Sequence, residues 1–247
     1  MKILAIIPSR YASTRLPAKP LVMIKGKSMV QRVYEQASKS RLLSKVVVAT
    51  DHEEIYTHVA GFGGEVCMTN TDHASGTDRC YEALSLQGES YDYVINVQGD
   101  EPFIQPDQID LLGNVLDGKI EIATLVKSVV SLDELINPSE AKVVVNRRGE
   151  ALYFSRSIIP FINKAPQEQW LDRHKYLKHV GMYAYRCDVL KEISDLKVSA
   201  LESAESLEQL RWLENGFRVT VVETETETFA IDTPADLDKA SQMIGDH

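Results

Sequence analysis

Near the start of the chain, the apolar run Ile-Leu-Ala-Ile-Ile-Pro (residues 3–8) leads into Ser-Arg-Tyr-Ala-Ser-Thr-Arg-Leu-Pro-Ala-Lys-Pro-Leu (residues 9–21), which we call the basic loop. The apolar run predicts a buried parallel strand. A loop that follows the first parallel strand of an open α/β sheet lies at the edge where such sheets bind ligands. Small residues beside arginine and lysine favour an anion there. These residues therefore predict an α/β fold with an anion site.

The charge of the chain is unevenly distributed. The first 34 residues contain seven basic residues and no Asp or Glu, although the formal net charge of the whole chain is −9 at pH 7. An acidic body argues against long nucleic acid as a partner, because polymer phosphates require an extended positive surface. A small phosphorylated molecule is the class of ligand that this distribution favours.

Length and composition set the broad class of protein. The chain has 247 residues, of which 44% are hydrophobic, enough for a full core. We predict a single domain over residues 1–247, with an insert at about 128–185. No apolar stretch approaches the ~20 residues of a membrane-spanning helix, and the short run ending at Pro8 does not resemble a signal peptide. The three cysteines show neither metal nor disulfide spacing, so we expect a cytoplasmic protein that does not insert into membranes.

The hydrophobic pattern alternates between strands and helices. Predicted strands at 2–8, 45–50, 65–69, 93–97 and 121–126 alternate with predicted helices at 29–39, 53–60, 78–86 and 106–116. This alternation indicates βαβ units and a mostly parallel, Rossmann-like sheet with helices on both faces. From about residue 128 the rhythm changes, and short strands at 142–146, 151–154 and 179–185 predict antiparallel pairing. A helix at 201–214, a strand at 217–222 and a helix from Pro234 follow.

Two aspartates follow predicted strands, in Val-Gln-Gly-Asp-Glu-Pro (97–102) and Ala-Ile-Asp-Thr-Pro (230–234). Asp100 and Asp232 would face the same crevice as the basic loop, and beside bound phosphates they would hold Mg²⁺. Each also has a purely structural interpretation. Gly, Asp and Pro favour a turn around Asp100, and either Asp232 or Thr233 can cap the last helix. The sequence leaves both interpretations open.

A third motif, Thr-Asp-His-Ala-Ser-Gly-Thr-Asp-Arg (71–79), precedes a predicted helix. Ser75 or Thr77 can cap that helix, and its N-terminus would offer backbone donors to a base or phosphate. Similarly, Asp51 or His52 can cap the helix at 53–60. The basic loop has neither P-loop nor dinucleotide-loop spacing. The scattered histidines do not predict a zinc site.

With these motifs the chain resembles the 3-deoxy-manno-octulosonate cytidylyltransferases, also called CMP-Kdo synthetases. The resemblance runs from Ile6 to about Leu237. It rests on residues 7–21, 48–51, 63–69, 75–79, 96–102, 151–156, 179–185, 207–211 and 232–237. It implies a nucleotidyltransferase α/β fold, a homodimer, and the transfer of CMP from CTP to the anomeric hydroxyl of Kdo with release of pyrophosphate. Mg²⁺ is the implied cofactor, and the implied role is the activation of Kdo for lipopolysaccharide synthesis.

The resemblance also implies roles for individual residues. The implied catalytic residues are Lys19, Arg10, Asp100 and Asp232, of which the two aspartates hold the metal. The implied nucleotide contacts are Pro8, Arg10, Arg15, Lys19, Ser75, Gly76, Arg79 and Gln98. The implied sugar contacts are Arg156, His179, Tyr183, Glu208 and Gln209.

The chain departs from the family pattern in three places. Ser9 and Ala18 stand where Ala and Gly are commoner, and residues 200–206 differ beside the implied sugar site. A related acidic sugar, 8-amino-Kdo or a sialic acid, is therefore an alternative substrate, although an enzyme for sialic acid would be expected to carry Arg-Gly-Gly-Ser-Lys in its loop. A non-catalytic module that senses CTP is another alternative, but it would not need two carboxylates at separate strand ends.

Overall fold

The apolar run at the start of the chain forms the strand β1, Ile3–Ser9, in the computed structural model, which describes residues 1–12, 16–226 and 229–243. The chain divides into two compact units: Met1–Asn114 with Thr228–His247, called the first unit, and Val115–Glu227, called the second unit. The second unit contains the whole range 128–185 that was predicted as an insert. The single domain over residues 1–247 stays a prediction.

The remaining elements follow in chain order. The strands are β2 Met23–Ile24, β3 Lys27–Ser28, β4 Lys45–Thr50, β5 Val66–Met68, β6 Tyr93–Asn96, β7 Ile122–Ser128, β8 Lys142–Val145, β9 Ala151–Ser155, β10 Leu177–Arg186 and β11 Val219–Glu223. The helices are α1 Met29–Ala37, α2 Glu53–Gly61, α3 Gly76–Ser85, α4 Pro106–Asn114, α5 Leu132–Ile136, α6 Trp170–Arg173, α7 Cys187–Ser194, α8 Ala200–Glu205, α9 Gln209–Glu214 and α10 Pro234–Met243. Short 3-10 helices form at Lys19–Leu21 and Gln167–Gln169.

In the first unit, four strands pair in parallel in the order β6-β1-β4-β5. The central strand β1 is apolar at successive positions, and Leu4, Ala5, Ile6 and Ile7 are all fully buried. A strand that is buried on both faces needs this continuous apolar run instead of an alternating one. The predicted parallel strand is therefore confirmed.

The parallel direction of these strands positions the residues that follow them. Strands β1, β4 and β6 end at Ser9, Thr50 and Asn96. Since parallel strands end at the same edge of their sheet, the segments that begin at Arg10 and Asp51, and the turn that leads to Asp100, all emerge along one edge.

The C-terminal segment of the chain returns to this edge of the first unit. Ile231 is fully buried in an apolar cluster with Ile24, Met29 and Ala240. Its backbone N–H donates to the carbonyl oxygen of Asp100 at 2.9 Å. Apolar packing therefore brings the segment before α10 next to the turn after β6.

In the second unit, β7 pairs in parallel with β11 and antiparallel with β10. Strands β8 and β9 form an antiparallel hairpin, and β8 also pairs with β10. The hairpin turn includes Gly149 at φ 76°, a left-handed conformation that glycine adopts without steric cost. These pairings confirm the predicted α/β class with a mostly parallel sheet and an antiparallel section.

Two predicted elements are wrong as stated. No strand ends at Asp232, because residues 229–232 are not in a strand and β11 ends at Glu223. The predicted helix at 201–214 is two helices, α8 and α9, because Ser206 adopts the left-handed conformation at φ 52° and ends α8. Gln209 and the residues after it therefore begin a helix of their own. Among the described residues, no helix is both long enough and apolar enough to cross a membrane.

Candidate active site

A cavity of about 390 Å³ opens at the carboxyl edge of the sheet in the first unit. Its walls come from the end of β1, the basic loop, the start of α3, the turn after β6 and the segment before α10. The predicted nucleotide and metal residues that line it are Pro8, Arg10, Lys19, Ser75, Gly76, Arg79, Gln98, Asp100 and Asp232. Arg15 lies outside the described residues. Parts of the sequence that are up to 224 positions apart, counted from Pro8 to Asp232, thus share one cavity wall.

Lys19 connects the two predicted metal ligands. Its Nζ donates to Oδ2 of Asp100 at 2.7 Å and to Oδ1 of Asp232 at 2.8 Å. The lysine side chain is only 13% exposed, whereas each aspartate keeps about a third of its side-chain surface exposed (33% and 37%). The two carboxylates are therefore held together by one cation while remaining accessible from the cavity.

The residue before Lys19 also has a special backbone. Ala18 adopts the left-handed conformation, with φ 51° and ψ 33°, at the start of the 3-10 helix. This conformation costs an L-residue roughly 1–2 kcal/mol, and glycine avoids that cost. The backbone thus gives a physical reason for the glycine that is commoner at this position.

The structure separates the two interpretations of Asp232. The cap of α10 is Thr233, whose Oγ1 accepts the N–H of Asp236 at 3.2 Å, while Oδ2 of Asp236 accepts the N–H of Thr233 at 2.9 Å. The carboxylate of Asp232 contacts Lys19. Thr233 is therefore the residue that caps the helix, and the side chain of Asp232 is available to the cavity.

The predicted turn around Asp100 is observed, whereas its role as a ligand of Mg²⁺ stays a prediction. The turn after β6 approaches β1 so closely that a Cβ atom on Gly99 would lie 2.8 Å from the carbonyl oxygen of Pro8. Only glycine fits there without a shift of the backbone. The turn thus places Asp100 at the cavity, and its side chain contacts Lys19.

The donor set fits a hard divalent cation. Two carboxylates that contact a single nitrogen atom are close enough to contact a single metal ion, and oxygen ligands suit Mg²⁺. Within residues 1–12, 16–226 and 229–243, no three His, Cys, Asp or Glu side chains are grouped to hold a metal. Mg²⁺ characteristically uses one or two carboxylates together with phosphate oxygens and water. The pair therefore fits a metal that arrives with a phosphorylated ligand.

The start of α3 is fixed by a capping box. Ser75 Oγ accepts the N–H of Asp78 at 3.1 Å, and Asp78 Oδ2 accepts the N–H of Ser75 at 3.2 Å. Of the two caps that the sequence allowed, Ser75 is the one observed. Gly76 begins the helix and lines the cavity. The helix N-terminus is thereby held at the cavity wall.

Arg79 lines the cavity, but its described hydrogen bonds go to protein acceptors. It is 3% exposed, and it donates to Asp51 Oδ2 at 2.8 Å and to Thr69 Oγ1 at 2.6 Å. Its role as a nucleotide contact stays a prediction. Sequence reasoning treated Asp51 only as a possible helix cap, whereas His52 caps α2. The position of Asp51 directly after β4 was the signal for a role at the edge of the sheet.

His73 is a further cavity residue without a predicted role. Its Nε2 contacts Oε2 of Glu82, which also accepts the N–H of Asn70 at 2.8 Å. Burial raises the pKa of the Glu82 carboxyl, but the hydrogen bonds from His73 and Asn70 outweigh burial and hold this pKa below its usual value. An ionised glutamate therefore orients the imidazole at the cavity wall.

In the second unit, two predicted sugar contacts, His179 and Tyr183, form a group of rings with Trp212, which we call the ring cluster. The ring centroids of His179 and Tyr183 lie 5.1 Å apart, and those of Tyr183 and Trp212 lie 5.0 Å apart. Burial lowers the pKa of His179 to about 4, so its imidazole is neutral at pH 7, and its Nε2 lies 2.9 Å from Thr124 Oγ1. Burial also raises the pKa of Tyr183 well above its usual value.

Three buried polar atoms at the ring cluster have no hydrogen-bond partner among the described residues. They are Oη of Tyr183, Nε2 of Gln209 and Nε1 of Trp212. A buried donor without a partner costs about 1–3 kcal/mol, so native proteins rarely leave one without a purpose. Glu208 lies near enough to raise the pKa of Tyr183 further. Sequence reasoning missed Trp212, for which the only signal was its position three residues after Gln209 on α9.

Arg156 is placed differently from the other predicted sugar contacts. Its guanidinium donates to the backbone carbonyls of Glu205 at 2.6 Å, Pro138 at 3.0 Å and Ser206 at 3.1 Å. These bonds tie the end of β9 to the end of α8. None of the described contacts joins Arg156 to the ring cluster, and its contact with a sugar stays a prediction.

Comparison with known proteins agrees with this arrangement. A family model described as cytidylyltransferase matches residues 4–240. The 3-deoxy-manno-octulosonate cytidylyltransferase of Parabacteroides distasonis is 55% identical over 249 aligned residues, covering 99% of this chain and 98% of that protein. The enzyme of the same name from Geobacter sulfurreducens is 46% identical over 255 aligned residues, covering 99% of this chain and 100% of that protein.

Solved structures give the same result. A structure of CMP:2-keto-3-deoxy-manno-octonic acid synthetase complexed with CTP is 44% identical, with a TM-score of 0.92, and covers 99% of this chain and 98% of that one. A 4-diphosphocytidyl-2C-methyl-D-erythritol synthase from Anaerococcus prevotii, at 13% identity and a TM-score of 0.65, shares the fold; the match covers 98% of this chain and 96% of that one. This chain therefore belongs to the cytidylyltransferase family and, within it, to the 3-deoxy-manno-octulosonate cytidylyltransferases.

Proposed function

We propose that the protein transfers CMP from CTP to the anomeric hydroxyl of Kdo, releases pyrophosphate, and so activates Kdo for lipopolysaccharide synthesis. The observation that carries this proposal is the network of Lys19, Asp100 and Asp232 at the wall of one cavity. When CTP binds, the Lys19 ammonium can donate to phosphate oxygens instead of the two carboxylates. The carboxylates can then bind a metal ion. The family of the chain supplies the identity of the two substrates.

The cavity residues would act mainly by positioning and by stabilising charge. Both CTP and Kdo are anions, so Arg10 and Lys19 would reduce the repulsion between them by contacting the triphosphate. The hydroxyl oxygen of the sugar forms a bond to the α-phosphorus as the bond from that phosphorus to the bridging oxygen breaks. Lys19 would then donate to oxygens whose negative charge increases.

We also propose that Asp100 and Asp232 hold Mg²⁺. When bound, Mg²⁺ supplies charge to the phosphates and lowers the pKa of a coordinated hydroxyl. The two carboxylates would keep this position close to Lys19, because each of them accepts a hydrogen bond from the Nζ of Lys19. No separate general base is required in this arrangement.

For the sugar, we propose contacts with the second unit through His179, Tyr183 and Gln209, and also through Arg156 and Glu208 of the same unit. The support is the set of buried donors that lack partners. Hydroxyl and carboxylate oxygens of an acidic sugar are acceptors and would satisfy them.

We further propose that the protein acts as a homodimer in the cytoplasm. The second unit exposes large apolar side chains, among them Val130, Leu152 and Phe161, at 72%, 60% and 71% exposure. Where such side chains lie together in one patch, they mark protein–protein contacts. Light scattering on the purified protein would test the dimer, and a concentration-independent monomer would contradict it.

The central experiment measures pyrophosphate release from CTP and Mg²⁺ with a panel of sugars: Kdo, 8-amino-Kdo, a sialic acid and a neutral hexose. We expect Kdo to give the highest kcat/KM, and chelation of the metal to abolish turnover. Equal release without a sugar acid, or with the hexose, would contradict the proposal. Preference for 8-amino-Kdo or sialic acid would support a related cytidylyltransferase instead.

A further inference from the structure

We propose that Asp51 is a positioning residue that fixes the start of the basic loop, residues 10–12, against the end of β4. This inference rests on the proposed function, because it concerns how the same cavity is prepared for CTP. Asp51 itself is not among the residues that line the cavity.

The carboxylate of Asp51 joins two parts of the first unit. Its Oδ1 accepts the backbone N–H of Tyr11 at 3.2 Å, and its Oδ2 accepts from Arg79 NH2 at 2.8 Å. The side chain of Asp51 is 11% exposed. One buried carboxylate thus connects the basic loop to α3, the helix that carries Arg79.

The next residue, His52, holds the side chain of Tyr11. The two rings are stacked, with centroids 3.7 Å apart and an interplanar angle of 16°. His52 is fixed in turn, because its Nδ1 accepts the N–H of Glu54 at 3.3 Å as the cap of α2. Two consecutive residues after β4 therefore hold Tyr11 by both its backbone and its ring.

Tyr11 stands between two residues that line the cavity, Arg10 and Ala12. Fixing Tyr11 consequently fixes the direction in which Arg10 leaves β1. A loop that is already ordered does not lose that freedom when a ligand binds, so pre-ordering increases affinity. Asp51 would therefore act on CTP binding through Tyr11, without touching the nucleotide.

A purely structural role for Asp51 is the competing explanation, since its ion pair with Arg79 is buried. A substitution at Thr69 distinguishes the positioning role of Asp51 from this purely structural role. Its Oγ1 accepts from the same arginine at 2.6 Å, and neither of its described bonds goes to the basic loop. The variant Thr69→Val is thus a matched control that disturbs Arg79 and leaves Tyr11 in place.

The test compares Asp51→Ala with Thr69→Val by four measurements on the whole protein: CTP affinity without sugar, the exchange rate of the Tyr11 amide hydrogen, the melting temperature and the KM for Kdo. For Asp51→Ala we expect the Tyr11 amide to lose protection and CTP to bind about tenfold more weakly, the size expected for one charge-assisted hydrogen bond. KM for Kdo should not change. For Thr69→Val, which leaves the bond between Arg79 and Asp51 in place, we expect a lowered melting temperature, unchanged Tyr11 protection and a smaller loss of CTP affinity than for Asp51→Ala.

Two further variants keep the test decisive if Asp51→Ala does not fold. Asp51→Asn keeps an oxygen that can accept from Tyr11, and we expect it to retain Tyr11 protection and CTP affinity. His52→Asn keeps a helix cap but removes the stacked ring, and we expect it to weaken both the protection of the Tyr11 amide and the affinity for CTP. Unchanged Tyr11 exchange in Asp51→Ala, or loss of CTP affinity in Thr69→Val equal to that in Asp51→Ala, would overturn the proposal. If Asp51→Ala does not fold, the proposal would be overturned by an Asp51→Asn variant that binds CTP weakly although its Tyr11 amide is still protected.

The exchange measurement also separates this inference from the proposed function. Protection of the Tyr11 amide depends on Asp51 and His52 and needs no turnover. Failure of the wild-type protein to release pyrophosphate from CTP and Kdo would overturn the function while leaving the exchange result intact.

Discussion

The cavity of the first unit and the ring cluster of the second unit are prepared for ligands in opposite ways. In the cavity, charged side chains neutralise one another: Lys19 pairs with Asp100 and Asp232. In the ring cluster, neutral groups such as Tyr183 Oη and Trp212 Nε1 are buried with no hydrogen-bond partner in the part of the chain that the structure describes. A ligand of the cavity must exchange ion pairs, whereas a ligand of the ring cluster supplies hydrogen bonds that are missing. Substitutions in the cavity should therefore change turnover, and those in the ring cluster should change sugar affinity.

The largest effect should come from the two carboxylates. We expect Asp100→Asn and Asp232→Asn each to lower kcat by about 10³-fold, the upper range for a lost electrostatic contact to a transition state. The double variant should be little worse than either single one, because residues that act as a unit are not additive. Steady-state kinetics with Mg²⁺, and with Mn²⁺ for partial rescue, would measure this.

Thr233→Ala is the matched control for Asp232. It removes the cap of α10, so it should lower stability by about 1 kcal/mol with little change in kcat. If Asp232→Asn instead lowered the melting temperature and spared turnover, the assignment of Asp232 to the cavity chemistry would be contradicted.

A smaller but still large effect should follow from Lys19→Ala. We expect kcat to fall about 100-fold, because one donor to the developing charge is lost. Lys27→Ala serves as a control, since Lys27 pairs with Glu35 at 2.5 Å in an exposed ion pair and does not line the cavity. Nearly equal kcat values for Lys19→Ala and Lys27→Ala would contradict the special role of Lys19.

The ring cluster should make stability depend on pH through His179. Folding lowers the pKa of His179 from its usual value of 6.5 to about 4. Between these values the unfolded chain binds a proton that the folded protein does not, so stability is lost as the pH falls. The loss between pH 7 and pH 5 should be about 2 kcal/mol. Urea unfolding at several pH values, with His179→Gln as the flatter control, would measure it.

The smallest effect should be a change in sugar affinity at constant nucleotide affinity. We expect Tyr183→Phe and Gln209→Ala to raise KM for Kdo about tenfold, with KM for CTP unchanged. Tyr183→Phe should not destabilise the ligand-free protein, because the hydroxyl that it removes has no partner there. A change confined to KM for CTP would contradict the difference between the two regions.

Several features followed from local sequence. The continuous apolar residues of β1 predicted a strand buried on both faces, and of the two predicted caps of α3, Ser75 and Thr77, Ser75 is observed. Asp100 and Asp232 were predicted to face one crevice, and both contact Lys19, although the strand predicted before Asp232 is not observed. These predictions succeeded because side-chain period, caps and strand direction depend on neighbouring residues in the chain.

Other features were decided by tertiary structure alone. The sequence allowed either Asp232 or Thr233 as a cap, and the choice became visible only once Lys19 was in contact with Asp232. The pattern of residues 201–214 did not reveal the left-handed backbone at Ser206. The pairing of Asp51 with Arg79 and Tyr11 joins residues 28 and 40 positions apart. Such contacts depend on how the chain packs, and local patterns of charge and hydrophobicity do not record which distant atoms that packing brings together.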